Sequence, residues 1–132
     1  MIEEKKKILV IEDNELLRAI LVARLREDKT MDVEQARNGN DGLELLKAGS
    51  FHVVLLDMML PDMDGLQLME QIQSRGYKTS VVAMTAASES LVPDSIVRAP
   101  FGNLVAAVFR KPFDQARMVA TVKSLAAARQ SS

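Results

Sequence analysis

The sequence has no cysteine, no tryptophan and one tyrosine, with only four prolines and six glycines among its 132 residues. The absence of cysteine excludes a disulfide framework, a thiolate zinc site and a thiol nucleophile, and it fits a reducing compartment. Neither sign of charge dominates, since 17 basic and 18 acidic side chains leave a formal charge of −1. A chain without a basic excess is poorly suited to neutralise nucleic-acid phosphates, so we expect no direct binding of nucleic acid.

Long hydrophobic runs are also missing. No apolar stretch approaches the ~18 residues that a membrane span needs, and the apolar run at 8–11 is too short for a signal peptide. What the chain does have is 48% hydrophobic and 27% charged residues, the balance of an ordinary globular protein. At this length we expect one domain over residues 1–132, with a core large enough to fold without crosslinks.

Short apolar runs alternate with amphipathic stretches along the chain. The runs that predict strands are 8–11, 53–56, 81–84 and 104–109, with a weaker one at 32–36. They are continuous, which is typical of strands buried on both faces of a sheet. Apolar residues at helical spacing predict helices between them, with N-caps at Asn14, Asn40 and Asp114. The alternation indicates an α/β fold, a doubly wound sheet of five parallel strands with helices on both faces.

The stretch from Ser88 to Asn103 is the least regular part of this pattern. It should hold the fourth helix, yet it contains Pro93, Pro100 and Gly102. Proline is tolerated in a first helical turn, whereas Pro100 would end the helix. We therefore expect a short or distorted helix here.

Polar side chains follow the predicted strands at the ends where ligands bind in open α/β sheets. Glu12 and Asp13 follow the first strand, Asp57 the third, Thr85 the fourth and Lys111 the fifth. If the strand order is 2-1-3-4-5, the first and third strands are neighbours and the three carboxylates meet in one crevice. Two charges ~4 Å apart repel by ~4 kcal/mol at an effective dielectric constant of ~20, so the carboxylates must bind a cation or protons.

Mg²⁺ suits such a crevice because it takes oxygen ligands, retains water and pairs with phosphoryl oxygens. Lys111 would add a second positive centre and the Thr85 hydroxyl a donor, which makes the pocket suitable for a phosphoryl group. Asp57, on the central strand, is the predicted nucleophile. Each of these residues alone could instead be a helix cap, a surface charge or a salt-bridge partner, and the agreement of several strand ends favours function.

Four motifs resemble the CheY-like receiver domain of two-component response regulators, in the order of that family and over nearly the whole chain. They are Leu9 to Asn14, Val54 to Gly65, Met84 to Ala86 and Lys111 to Phe113. The resemblance implies a flavodoxin-like (βα)5 fold with strand order 2-1-3-4-5. It also implies that the Lys111–Pro112 peptide is cis, which an X–Pro bond allows at small cost.

The resemblance further implies roles for the strand-end residues. Asp57 would be the phosphoacceptor, with Thr85 and Lys111 contacting the phosphoryl oxygens. Asp13 and Asp57 would bind Mg²⁺ through their carboxylates, and Met59 through its main-chain carbonyl. Glu12 would bind the ion through a water molecule.

The function implied is phosphoacceptor signalling in the cytoplasm, without contact to a membrane. A histidine kinase or phosphotransfer protein would phosphorylate Asp57, and this would change the contacts with an output partner or domain of unknown identity, or favour a homodimer. We expect no turnover on a separate substrate and slow autodephosphorylation. The reason is that Met59 and Ala87, at positions that tune phosphoryl lifetime in the family, carry no polar group to orient water.

Two other functions stay open. A phosphatase of the haloacid dehalogenase type also uses a strand-end aspartate, but it needs a second acid where Met59 stands. A degenerate receiver would act as a phosphorylation-independent interaction module. The intact acidic residues oppose this function, and the unusual stretch before the fifth strand favours it.

Val108, in that region, stands where the family commonly has its switch aromatic. Phe109 is one position off, so strand alternation should turn it to the other face.

Overall fold

The computed structural model describes residues 4–128. The strands are β1 (Lys6–Ile11), β2 (Met31–Ala36), β3 (Val53–Asp57), β4 (Ser80–Thr85) and β5 (Val105–Arg110). They form one five-stranded sheet in the order β2-β1-β3-β4-β5, and every neighbouring pair is parallel. The predicted fold class and strand order are thus confirmed, and the strand bounds agree to within two residues.

Helices cover both faces of the sheet, as predicted. They are α1 (Glu15–Arg26), α2 (Gly39–Ala48), α3 (Gly65–Ser74), α4 (Asp94–Arg98) and α5 (Gln115–Ala128), with a 3₁₀ turn at Gly102–Leu104. Buried residues of α1 and α5 form one core cluster with alternate strand residues such as Val53 and Leu55. Those of α2, α3 and α4 form the second cluster with Val54 and Leu56. Because both faces are covered, consecutive strand residues are apolar.

The predicted N-cap residues can be compared with the observed ones. Asn14 accepts a hydrogen bond from the Leu17 N–H at 2.9 Å, as predicted. The prediction that Asn40 caps α2 is wrong, because the cap is Asn38, whose side chain accepts from the Asp41 N–H at 2.8 Å. Asn40 lies inside the first turn, and its own N–H donates to Asp62 at 2.8 Å.

The region before β5 is as irregular as expected. The helix α4 has five residues and follows Pro93, which is its N-cap residue. The β4–β5 register shifts, since Val81 pairs with Val105 and Val82 with Ala107, so Ala106 is an extra residue in the strand. Val108 packs against the α2–α4 layer, whereas Phe109 packs on the α1–α5 side. The prediction that Phe109 faces away from Val108 is confirmed.

Within residues 4–128, no helix combines the length and the hydrophobicity that crossing a membrane would require. Residues 1–3 and 129–132 of the predicted domain lie outside the described residues.

Candidate functional site

Three carboxylates meet at the carboxyl ends of β1 and β3. Glu12 and Asp13 directly follow β1, and Asp57 is the last residue of β3. These strands are neighbours, with Ile11 paired to Leu56. Glu12, Asp13 and Asp57 each offer a carboxylate oxygen within 4.8 Å of the others. The structure therefore brings together the acidic residues that the sequence pattern singled out.

Lys111 joins this cluster from the end of β5. Its main-chain N–H donates to the carbonyl of Thr85 at 2.8 Å, and its ammonium donates to Glu12 at 2.7 Å and to Asp57 at 3.2 Å. The Lys111–Pro112 peptide is cis, as the resemblance implied. The lysine thus bridges two of the carboxylates.

The loop after β3 holds Asp57 in place. The Asp57 carboxylate accepts the Met59 N–H at 3.0 Å, and the Met58 N–H donates to the carbonyl of Met84 at 2.8 Å. Gly65 begins α3 so close to Met58 that a Cβ there would lie 2.7 Å from the Met58 Cα. Because backbone cannot yield as a flexible side chain can, this position needs glycine.

Burial gives the cluster unusual electrostatics. The Glu12 side chain is fully buried, and that of Asp57 is 5% exposed. Burial first, and then the hydrogen bond to Asp57, raise the pKa of Glu12 to about 7, against the opposing hydrogen bonds from Lys111 and the Asn14 N–H. Burial alone would lower the pKa of Lys111, but its hydrogen bond with Glu12 and the charge of Asp57 raise it above its ordinary value. Both pKa values are raised, so the site holds protons more strongly than these side chains would in water, and it should attract other cations.

The donor set fits a divalent cation. When all three carboxylates are ionised, they and the Lys111 ammonium carry an excess of two negative charges. Oxygen ligands of Mg²⁺ lie ~2.1 Å from the ion, hence ~3 to 4 Å from one another. One carboxylate oxygen of each of Glu12, Asp13 and Asp57 lies within 4.8 Å of the other two, which is compatible with that spacing. These oxygens could hold Mg²⁺ directly or with one of them bound through water. The role of the Met59 carbonyl stays a prediction.

Thr85 lies at the carboxyl end of β4, the strand next to β3. It is the last residue of β4 and is 4% exposed. Its hydroxyl accepts a hydrogen bond from the Ala87 N–H at 3.1 Å. Thr85 is thus beside the site, with its side chain engaged by the segment that follows β4.

Two arginines near the site were not predicted. Arg18 donates to the main-chain carbonyl of Glu12 at 2.8 Å, and Arg110, next to Lys111 in the chain, binds the segment between β4 and α4. The signal for Arg110 was a second cation at the end of an otherwise apolar strand. For Arg18 a helical position offered no comparable signal.

Comparisons with known proteins agree with this geometry. A family model for the response regulator receiver domain matches residues 8–123. The transcriptional regulatory protein DltR of Streptococcus agalactiae serotype III (strain NEM316) is 36% identical over 84 residues, which are 64% of this chain and 37% of DltR. The uncharacterized transcriptional regulatory protein YkoG of Bacillus subtilis (strain 168) is 31% identical over 121 residues, 92% of this chain and 51% of YkoG. The chain thus spans between about a third and a half of these relatives.

Solved structures show the same fold. The non-phosphorylated HemR receiver domain from Leptospira biflexa has a TM-score of 0.79 and 26% identity, covering 97% of this chain and 99% of that one. The response regulator TrrA from Thermotoga maritima, solved in complex with Mg(2+)-BeF, has a TM-score of 0.73 and 25% identity, covering 91% and 98%. A CheY-like receiver domain from Methanospirillum hungatei JF-1 shares the fold with a TM-score of 0.80 at 22% identity, covering 94% and 95%.

Proposed function

The chain belongs to the response regulator receiver domain family, and from that membership we propose that it is a phosphoacceptor whose Asp57 takes a phosphoryl group from a histidine kinase or phosphotransfer protein. One observation carries the proposal. Asp57 is buried at the end of the central strand, 3.2 Å from the Lys111 ammonium, beside two further carboxylates within 4.8 Å.

In the proposed reaction, an oxygen of the Asp57 carboxylate attacks the phosphorus of a phosphohistidine. The P–N bond breaks, the imidazole leaves with its electron pair and takes up a proton, and an acyl phosphate forms on Asp57. Little covalent work falls to the other residues, which position the reactants and neutralise charge. Lys111, already bonded to the Asp57 carboxylate, would stabilise the negative charge on the phosphoryl oxygens, and the Thr85 hydroxyl would donate to one of them.

A bound Mg²⁺ ion would supply charge neutralisation at the phosphoryl oxygens. We propose Asp13, Asp57 and the Met59 carbonyl as its direct protein ligands and Glu12 as a ligand through water. Two features support this set: the excess of negative charge in the ionised cluster, and the raised pKa of Glu12, caused mainly by burial and the neighbouring Asp57, which shows that the carboxylates repel one another without a cation.

Hydrolysis ends the signal in this proposal. Water attacks phosphorus, the P–O bond to Asp57 breaks, and the carboxylate is restored. The residues that flank the site, Met59 and Ala87, offer no polar side chain to orient that water, so self-dephosphorylation should be slow. A phosphoryl half-life of a few seconds would contradict this part of the proposal.

We propose that residues 1–132 form one receiver domain in the cytoplasm. Its output is a change in contacts with a partner protein, an attached domain or a second copy of the chain. It has no turnover on a separate substrate and no direct contact with nucleic acid or a membrane.

A degenerate receiver that binds partners without phosphorylation is the second candidate. The observation that favours it is the region before β5, where α4 has only five residues and Val108 occupies the position of the switch aromatic. The phosphatase alternative has less support, because Met59, with a side chain exposed to solvent, stands where its second acid would be needed.

Intact-mass measurement after incubation with Mg²⁺ and acetyl phosphate separates these functions. We expect the wild type to gain one phosphoryl group and Asp57→Asn to gain none. Asp32→Asn is the matched control, because it removes an exposed carboxylate on β2, and it should behave as the wild type. Phosphorylation of Asp57→Asn at the wild-type level would overturn the proposal. An inert wild type would favour the degenerate receiver, and turnover of phosphate esters would favour the phosphatase.

A further inference from the structure

Arg110, the last residue of β5, gathers several acceptors of one segment around its guanidinium group. The segment is residues 86–94, which we call the β4–α4 segment. One guanidinium nitrogen donates to the carbonyl of Ala87 at 2.9 Å. The other lies within hydrogen-bond distance of the Glu89 carboxylate at 2.8 Å, the carbonyl of Val92 at 2.8 Å and the Asp94 carboxylate, so its two N–H groups are shared among three acceptors. A planar guanidinium can bind several oxygens in this way, whereas an ammonium is a point charge.

The two carboxylates strengthen this arrangement. Glu89 uses its other oxygen to accept the Asp94 N–H at 3.3 Å, so it joins the guanidinium to the start of α4. Burial would raise the pKa of Asp94, but the hydrogen bond from Arg110 and the charges of Arg110 and Arg98 hold it below its usual range. The Arg110 side chain is 26% exposed. Glu89 and Asp94 are more exposed, at 64% and 43%, so these charge-assisted hydrogen bonds are partly screened by water.

The β4–α4 segment is connected to the phosphoryl-transfer site through Ala87. The carbonyl of Ala87 binds Arg110, and its N–H donates to the Thr85 hydroxyl at 3.1 Å. Thr85 pairs with Arg110 in the β4–β5 register, and its carbonyl accepts the Lys111 N–H at 2.8 Å. Arg110 is therefore the neighbour of Lys111 in the chain. It is also connected to the Thr85 hydroxyl through a single residue, Ala87.

We propose that Arg110 is a positioning residue for the phosphoryl-transfer site, which fixes the β4–α4 segment and with it the partner of the Thr85 hydroxyl. The inference rests on the proposed function of Asp57. A phosphoryl group there adds strong acceptor oxygens and negative charge, and a Thr85 hydroxyl that turns toward it leaves the Ala87 N–H. Because Arg110 holds Ala87, it opposes this movement and favours the arrangement seen in the structure.

Loss of the guanidinium should shift the balance between these two arrangements. In Arg110→Ala the amides of the β4–α4 segment should exchange hydrogen about three- to tenfold faster in the unphosphorylated protein. Phosphorylation by acetyl phosphate should become about three- to tenfold faster, because the Thr85 hydroxyl is released more easily. Arg110 contacts none of the three carboxylates in the structure, so the affinity for Mg²⁺ should stay within about twofold.

The experiment compares Arg110→Ala and Arg110→Lys with the wild type and with Arg98→Ala. Arg98 is the matched control: its charge also acts on Asp94, but its hydrogen bond goes to the carbonyl of Val105 at 3.2 Å rather than to the β4–α4 segment. Arg110→Lys keeps the charge without the planar donor group, so it should resemble Arg110→Ala and keeps the test available if the alanine variant folds poorly. The readouts are hydrogen exchange by mass spectrometry, the rate of phosphorylation and calorimetric titration with Mg²⁺.

The outcomes decide between the possibilities. Faster exchange and faster phosphorylation in both Arg110 variants, with unchanged Mg²⁺ affinity and an unaffected Arg98→Ala, support the positioning role. Wild-type exchange or a wild-type phosphorylation rate in the Arg110 variants overturns it, as does an equal effect of Arg98→Ala. A changed Mg²⁺ affinity overturns it too, because general structural damage would explain the rates. A wild type that never gains a phosphoryl group overturns the proposed function as well, which separates the two failures.

Discussion

At the scale of single residues, the pKa of Glu12 links the stability of the fold to the chemistry of the site. Burial and the neighbouring Asp57 raise it from 4.5 to about 7, so the folded protein holds a proton that the unfolded chain has released. The folded state therefore binds more protons than the unfolded state within this range. The free energy of unfolding must then fall, through this group, as the pH rises from 4.5 to about 7.

Urea unfolding without Mg²⁺ checks this pH dependence. We expect a lower free energy of unfolding at about pH 7.5 than at about pH 5.5, and Glu12→Gln should reduce the difference because it removes the titrating group. The pKa values of Asp28, Asp62 and Asp94 are lowered from 3.8. Their contributions to the free energy of unfolding are therefore lost only at more acidic pH, outside the range of this comparison. A Glu12→Gln variant with the wild-type slope would contradict the assignment.

Asp13 provides the test of the proposed metal site, because it is the exposed member of the three carboxylates. Asp13→Asn removes one negative charge from the cluster and should weaken Mg²⁺ binding about tenfold or more, as measured by isothermal titration calorimetry. In the wild type, Mg²⁺ competes with the proton on Glu12, so the affinity should also rise from about pH 6 to about pH 7.5. The exposed control Asp32→Asn should bind as the wild type does. Equal binding by Asp13→Asn would show that the cluster does not hold the ion.

At the scale of elements, the start of α2 depends on a residue from another loop. Asp62 accepts the N–H groups of Gly39 and Asn40, both at 2.8 Å, while Asn38 accepts that of Asp41. Although burial alone would raise the pKa of Asp62, these backbone hydrogen bonds hold it below its usual value. Free N–H groups at a helix start need such acceptors, so the loop after β3 and the helix α2 stabilise each other.

Asp62→Ala should therefore lower the free energy of unfolding by about 1 to 2 kcal/mol, the usual cost of losing a helix cap. Chemical denaturation at neutral pH measures this change. Asp32→Ala is the control, since an exposed substitution without such a role should change the free energy by less than about 0.5 kcal/mol. Equal stability of the two variants would show that the Asp62 contacts contribute nothing.

The elements also show why some features could be predicted from the sequence and others could not. Strands were predicted because burial on both faces leaves continuous apolar runs, and the caps Asn14 and Asp114 act on N–H groups three residues away. The cap of α2 was misplaced because Asn38 and Asn40 look alike locally, and the helix start is shared with Asp62, which lies 22 residues from Asn40. The extra residue Ala106 could not be predicted from the local sequence, because a register shift is defined only by how β5 pairs with β4.

At the scale of the whole molecule, the strand order brings the site together. Parallel strands β1, β3, β4 and β5 all end at one edge, so strand-end residues that are distant in sequence become neighbours. This gathering could be predicted because it depends on topology alone. The engagement of the Thr85 hydroxyl by Ala87 and the contacts of Arg110 with the β4–α4 segment could not. They depend on the path of an irregular segment that no periodic pattern describes.

The position of the acyl phosphate tests the central claim most directly. After incubation with Mg²⁺ and acetyl phosphate, borohydride reduction followed by peptide mass spectrometry locates the modified carboxylate. The account predicts a single reduced residue, Asp57, and none in protein incubated without acetyl phosphate. Reduction at Glu12, at Asp13 or at a carboxylate outside the cluster, or no reduction at all, would contradict it.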